Sequence, residues 1–174
     1  DSMEEVSKEN EKLQQSILEL QQDVTKQQVE LEFYKEIYCG LQEVYQKYSS
    51  LKGERKEELD MLCTENGILF LASGIQWKNI EALWEYLKEN IWHLEENERE
   101  ILCEVFDYLF EIYQDTNDNY SRVEARVGEE YDVRLHMRST GCPVAGKVSK
   151  VLLRGYQSAD GFVKEKSIVL VEKR

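Results

Sequence analysis

A heptad repeat runs through the first 48 residues of the chain. Its a positions are Met3, Asn10, Ile17, Val24, Leu31, Tyr38 and Tyr45, and its d positions are Val6, Leu13, Leu20, Gln27, Tyr34, Leu41 and Tyr48. All of these residues except Asn10 and Gln27 are apolar or tyrosine. A seam that returns about every 3.5 residues is typical of helices that wind around one another. The repeat therefore predicts a long coiled-coil dimerisation helix, which we assign to residues 1–60.

The best-formed part of the seam favours two parallel helices. Ile17 and Val24 are β-branched residues at a positions with leucine at d positions, and this combination is typical of parallel dimers. Asn10, at an a position, can hydrogen-bond to its twin only in one register. The residues predicted at the homodimer interface are Asn10, Leu13, Ile17, Leu20, Val24 and Leu31. The alternative is an amphipathic helix that folds back on its own chain, although such a helix usually shows a wider apolar stripe.

The seam becomes rich in tyrosine towards its end. Gly40 lies within this part of the seam and Gly53 follows it, and each glycine weakens a helix by about 1 kcal/mol relative to alanine. The coil is therefore expected to loosen before residue 60. Tyrosines at helical spacing are more often a bulky seam than a ligand site, so no binding site is assigned to them.

Residues 61–130 predict a small helical bundle. An apolar run begins at Ile68, and apolar side chains then recur at helical spacing in residues 80–94 and 101–112. Neither amphipathic helix is long enough to be stable alone, so the two are expected to pack on each other, on the coil or on a dimer partner. The large aromatic residues Trp77, Trp84 and Trp92 are interpreted as packing residues rather than as binding anchors.

The last 44 residues change to short β-branched runs that glycines and Pro143 separate. This pattern predicts three or four short strands and a small β domain in residues 131–174. The predicted class is therefore α+β, with a long N-terminal parallel coiled-coil helix, a short helical bundle and a small C-terminal β domain.

Charge and chemistry exclude several kinds of function. The chain has 22 basic and 35 acidic residues and a net charge of −13, which disfavours nucleic acid or an anionic membrane as the main partner. The four cysteines are widely spaced and form no C-x-x-C motif, which fits a reducing cytoplasm and no metal site. His93 and His136 lie far apart in the sequence, and no nucleotide-binding or hydrolase motif occurs. The sequence predicts no enzyme activity, no cofactor and no membrane-spanning segment.

The C-terminal segments EEYDVRLHMRS and GKVSKVLLRGYQSADGFVKEKSIVLV resemble the signature of GrpE, the nucleotide exchange factor of DnaK-type heat-shock chaperones. That signature reads approximately (F/L)-D-x-x-x-H-x-A, a spacer, and G-x-V-x-x-V-x-x-x-G-Y-x-x-x-D-x-x-(L/I/V/M)-R-x-A-x-V-x-V. The residues that fall on it are Asp132, His136, Gly146, Val148, Val151, Gly155, Tyr156, Asp160 and Val163. The family also has the order of parts predicted above, from paired helix to bundle to β domain.

The resemblance implies a dimeric co-chaperone of protein folding and stress response. It would bind the nucleotide-binding domain of a DnaK-type chaperone through the β domain and promote ADP release. The residues that it assigns to this contact are Leu152, Tyr156, Gly161, Phe162, Lys164 and Leu170. Gly161 marks a position where many family members have an arginine that touches the chaperone. Tyr156 and Phe162 are equally consistent with the core of the β domain.

Departures from the family pattern support a second interpretation. Tyr131 replaces phenylalanine, Arg138 alanine, Lys164 arginine, and Lys166 a small residue, and the family's proline-containing helix is missing from the middle of the chain. The alternative function is a dimeric coiled-coil scaffold or adaptor whose diverged β domain has no exchange activity. A third possibility, an enzyme that uses carboxylates of the bundle, requires a pocket with strongly perturbed acids.

Overall fold

The computed structural model describes residues 2–38 and 40–173. The helices in this part of the chain are α1 Ser2–Ile37, α2 Leu41–Ser49, α3 Gly53–Glu58, α4 Gly67–Gly74, α5 Trp77–Asn90 and α6 Glu96–Thr116. The strands are β1 Tyr120–Arg122, β2 His136–Arg138, β3 Lys147–Leu153, β4 Tyr156–Ser158, β5 Val163–Glu165 and β6 Ser167–Glu172. The chain divides into two compact units, of which the first ends at Gly40 and the second begins at Leu41. A long N-terminal helix, further helices and C-terminal strands are therefore confirmed.

Helix α1 is continuous over 36 residues, which corresponds to about 54 Å at about 1.5 Å per residue. All of its described side chains are exposed. The predicted seam residues Leu13, Ile17 and Leu20 expose 58%, 53% and 64% of their surface. A single copy of this helix therefore buries none of its apolar seam.

Helix α1 ends earlier than the heptad pattern. Gly40 has a φ of 74°, a left-handed conformation that commonly terminates helices. Helix α2 follows, and its Leu41, Val44 and Tyr48 are buried in the core of the second unit. The prediction that Leu41 and Tyr48 belong to the coiled-coil seam is therefore wrong. Over two helical turns, a period of about 3.5 cannot be told from one of about 3.6, so a core-facing helix imitates a heptad.

Helices α2 to α6 form the helical half of the second unit. The two predicted amphipathic stretches lie in α5 and α6, and their apolar faces are buried. Trp84 is fully buried, while Trp77 and Trp92 are partly buried and pack against the same core. The tryptophans therefore have the packing role that was predicted for them.

Two three-stranded sheets complete the second unit. The first has the order β1-β4-β5 and is antiparallel. The second has the order β2-β6-β3, with β2 parallel to β6 and β3 antiparallel to it. Five of the six strands lie in the predicted β segment. Strand β1 was not predicted, because it lies at residues 120–122 and pairs with a strand more than 30 residues later.

The helices share a hydrophobic core with both sheets, and a second, smaller cluster of Val148, Val169 and Val171 lies within the β2-β6-β3 sheet. The ring of Tyr156 packs edge-on against Trp77 and Trp84, with centroid distances of 5.4 and 5.6 Å, and lies 5.6 Å from Phe110. Leu153 and Ile168 are buried in the same cluster. The predicted boundary at residue 130 therefore does not separate two compact units.

Arg122 of β1 also joins a helix to a sheet. Its Nη1 lies 2.6 Å from Oδ1 of Asp107 in α6, and its Nη2 donates to the carbonyl oxygen of Arg154 at 2.6 Å. The guanidinium lies over the rings of Phe106 and Phe110 at 5.2 and 5.3 Å. Burial lowers the pKa of Arg122, although the carboxylate of Asp107 opposes that effect.

Candidate functional site

The D-x-x-x-H segment closes a turn at the start of the predicted β segment. His136 is buried, and its Nδ1 accepts a hydrogen bond from the backbone N–H of Asp132 at 3.0 Å. Its proton therefore lies on Nε2, which donates to Oε1 of Glu129 at 2.9 Å. The side chain of Arg134, followed by its backbone N–H, hydrogen-bonds Asp132 and lowers the pKa of that carboxyl to about 2. The polar side chains of the motif, Asp132 and His136, therefore have hydrogen-bond partners within the chain.

Two glycines of the signature lie where neighbouring backbone passes too close for a side chain. A Cβ atom on Gly146 would be 2.0 Å from the carbonyl oxygen of Glu172. A Cβ atom on Gly155 would be 2.0 Å from the carbonyl oxygen of Glu165. The N–H of Gly155 also donates to the buried hydroxyl of Ser167 at 3.0 Å. Both glycines are therefore required by the packing of the sheets.

Tyr156 is a core residue and not a surface contact. It is 5% exposed and lies among the aromatic side chains of the helices. Burial, with a smaller effect of nearby Glu165, raises its pKa above the usual value of a tyrosine. Its assignment to the partner contact is corrected, because a side chain inside the shared core cannot reach a partner.

Asp160 and Gly161 build the turn between β4 and β5. The hydroxyl of Ser158 donates to Oδ1 of Asp160, as does the backbone N–H of Phe162 at 3.2 Å, and these bonds lower the pKa of Asp160. Gly161 has a φ of 84°, which an L side chain adopts only with strain. The position that many GrpE-family members fill with arginine therefore has a backbone suited to glycine.

Phe162 and Lys164 form the exposed part of the predicted contact. Phe162 is 63% exposed, and Nζ of Lys164 lies 5.2 Å from the centre of its ring. Leu152 is half-buried against the helical core, and Leu170 is half-buried on β6. The structure thus brings Gly161, Phe162 and Lys164 together at one turn and leaves Leu152 and Leu170 only partly accessible.

A cleft of about 630 Å³ opens beside Lys164. We call it the basic cleft, because Lys88 of α5, Arg138 of β2, Lys164 of β5 and Lys166 line it, together with one acid, Glu165. Lys88 pairs with Glu165 at 3.2 Å. None of the other three cations forms an ion pair with a carboxylate within residues 2–38 and 40–173.

Sequence reasoning missed the basic cleft because its residues are scattered along the chain. A signal was nevertheless present in the distribution of charge. Residues 131–174 contain nine of the 22 basic residues but only four of the 35 acidic ones. The net charge of −13 therefore conceals a basic C-terminal segment that follows a strongly acidic one.

The predicted dimer-interface residues lie on one unit and the predicted contact residues on the other. Within the described residues, no group of three or more His, Cys, Asp or Glu side chains could hold a metal ion. No described helix combines the length and the apolar character needed to cross a membrane. Neither a scan against protein-family models nor a search of curated proteins finds a match for this chain.

Proposed function

We propose that this protein is a GrpE-like nucleotide exchange factor without enzymatic activity or a cofactor. It acts as a parallel homodimer in the cytoplasm and binds the nucleotide-binding domain of a DnaK-type chaperone through its β segment. The observation that carries the proposal is that signature residues have structural roles in both sheets of the β segment. Gly146 and Gly155 permit close backbone packing, and Asp160 holds the β4–β5 turn. Motif residues with a structural role support a family resemblance better than matches at exposed residues without such a role.

The proposed mechanism is a shift in the population of chaperone conformations. A partner that binds the open nucleotide cleft more tightly than the closed one must weaken ADP binding by the same factor. The exchange factor then needs a rigid contact surface and no catalytic group. The turn that carries Phe162 is anchored in this way, because β4 also contributes Tyr156 to the shared core.

A specific observation favours the alternative function, a dimeric scaffold or adaptor without exchange activity. Gly161 offers no side chain where family members have an arginine, and its left-handed backbone disfavours one. Under this alternative the exposed surface at Phe162 and Lys164 binds a different protein. The two functions differ in whether ADP release is accelerated.

Stopped-flow release of a fluorescent ADP analogue from a DnaK-type chaperone distinguishes the two. We expect micromolar protein to accelerate release and Phe162→Ala to reduce the acceleration at least tenfold. Val144→Ala is the matched control, because Val144 is 76% exposed and belongs to the segment between β2 and β3 rather than to the β4–β5 turn. It should leave the acceleration unchanged. No acceleration by the wild-type protein would reject exchange activity in favour of the scaffold function.

A further inference from the structure

We propose that the basic cleft binds a short acidic segment of a partner protein, with carboxylates that pair with Arg138, Lys164 and Lys166. The inference deepens the proposed function and rests on it in so far as the segment belongs to the chaperone. It assigns carboxylate ligands to the basic cleft, which includes residues of α5 and β2 as well as Lys164.

The charges in the cleft are unbalanced in a chain that has acidic residues in excess. Lys88 is neutralised by Glu165, whose side chain is only 19% exposed. Arg138 donates from Nη1 to the carbonyl oxygens of Ser139 and Cys142 at 3.1 and 2.9 Å, which leaves its positive charge uncompensated. Nζ of Lys164 lies 5.2 Å from the ring centre of Phe162, and its charge has a small electrostatic effect on Asp160, but Lys164 forms no ion pair with a carboxylate of the described residues. Cations that share a concave site raise its positive potential and attract anions.

The volume and the lining of the cleft suit a few side chains of a peptide segment. Its volume of about 630 Å³ lies within the range of about 300–1,000 Å³ that is typical of ligand sites. Tyr131 and Met137 also line the cleft and add apolar surface to it. The guanidinium of Arg138 lies 5.8 Å from the ring centre of Tyr131 and is held by two carbonyl groups. Because this side chain is already ordered, less entropy is lost when it pairs with a carboxylate.

The overall charge selects a short acidic segment over a nucleic acid. A polyanion that extends beyond the cleft would be repelled by the remainder of the chain, where residues 1–130 hold 31 of the 35 acidic residues. A peptide with a few carboxylates places its charge in the cleft alone. Carboxylates are also the groups that the planar fork of arginine binds in a bidentate manner.

Fluorescence anisotropy of a fluorescein-labelled tetraglutamate peptide at low salt tests the inference on the full chain. The cleft variant is Lys164→Glu with Lys166→Glu. The matched control is Lys147→Glu with Lys150→Glu, which changes the net charge equally at exposed residues outside the cleft. We expect the cleft variant to weaken binding at least tenfold and the control less than threefold. A tetraglutamine peptide should not bind.

The inference would be overturned if the two variants weakened tetraglutamate binding equally, or if tetraglutamate did not bind to the wild-type protein. The ADP-release assay on the same variants separates it from the proposed function. If the wild-type protein binds tetraglutamate through the cleft but does not accelerate release, exchange activity fails and the acidic-segment site stands. If the cleft variant loses peptide binding but keeps full acceleration, the site is not part of the chaperone contact and the deeper assignment is rejected.

Discussion

At the scale of single residues, the distance between neighbouring backbone segments decides where glycine is required. The Cβ atom of Gly155→Ala would lie 2.0 Å from a backbone oxygen, which no side-chain movement can relieve. We expect a loss of more than about 2 kcal/mol in the free energy of unfolding. Thermal denaturation should show a fall in Tm of at least about 5 °C.

Gly53→Ala is the matched control for this substitution. Gly53 begins α3, and apart from the adjoining residues and the backbone of its own helix, no atom lies within 4 Å of the Cβ that alanine would add. Alanine should stabilise the protein here by about 0.5 kcal/mol, because it restricts the unfolded chain and favours the helix. A stability of Gly155→Ala equal to that of the wild type would contradict the close approach of the β4 segment to Glu165.

Burial of Cys103 predicts a loss of stability at alkaline pH. Burial, with a smaller contribution from Asp107, raises the pKa of this thiol to about 12 from its ordinary 9.0. The unfolded chain therefore loses the proton first, so the contribution of Cys103 is fully present below pH 9 and is lost as the pH rises towards 12. Urea midpoints measured from pH 8 to pH 10 should fall less for Cys103→Ala than for the wild-type protein. An equal fall in the urea midpoint for the two proteins between pH 8 and pH 10 would contradict the prediction.

At the scale of elements, the packing of β1 on α6 depends on Arg122. The Arg122 side chain is 11% exposed and has an ion pair, a backbone hydrogen bond and two aromatic contacts. Arg122→Ala should lower the free energy of unfolding by about 2–3 kcal/mol, because it removes packing as well as charge. Arg126→Ala is the control, since Arg126 and its partner Glu124 are 79% and 77% exposed and such pairs contribute little. Chemical denaturation that gives equal losses for the two variants would contradict this role of Arg122.

The elements also differ in how far the sequence determines them. Helices α5 and α6 could be predicted because their periodicity extends over several turns. The end of α1 could not, because Leu41 and Tyr48 continue the heptad spacing while they face a different core. Strand β1 has three residues and pairs with the distant β4, so no local pattern marks it. Local periodicity thus predicts long elements, and long-range contacts decide the short ones.

The candidate site was predictable only in part for a related reason. The resemblance located the β4–β5 turn, where Phe162 and Lys164 are exposed. It did not distinguish Tyr156 from them, because alternation alone does not say which face of a short strand packs against helices. The basic cleft combines Lys88 of α5 with Arg138 of β2, and only the three-dimensional fold brings these residues together.

At the scale of the whole molecule, the exposed seam of α1 predicts that the protein is a homodimer. Leu20 and Val29 are 64% and 63% exposed in a single copy, but only Leu20 lies at a seam position. Leu20→Glu should therefore dissociate the dimer, because it would place two like charges in a buried interface, whereas Val29→Glu should not. Light scattering after gel filtration should give twice the chain mass of 20.6 kDa for the wild type and Val29→Glu, and the single mass for Leu20→Glu. A wild-type monomer would instead require that the seam be covered by another protein.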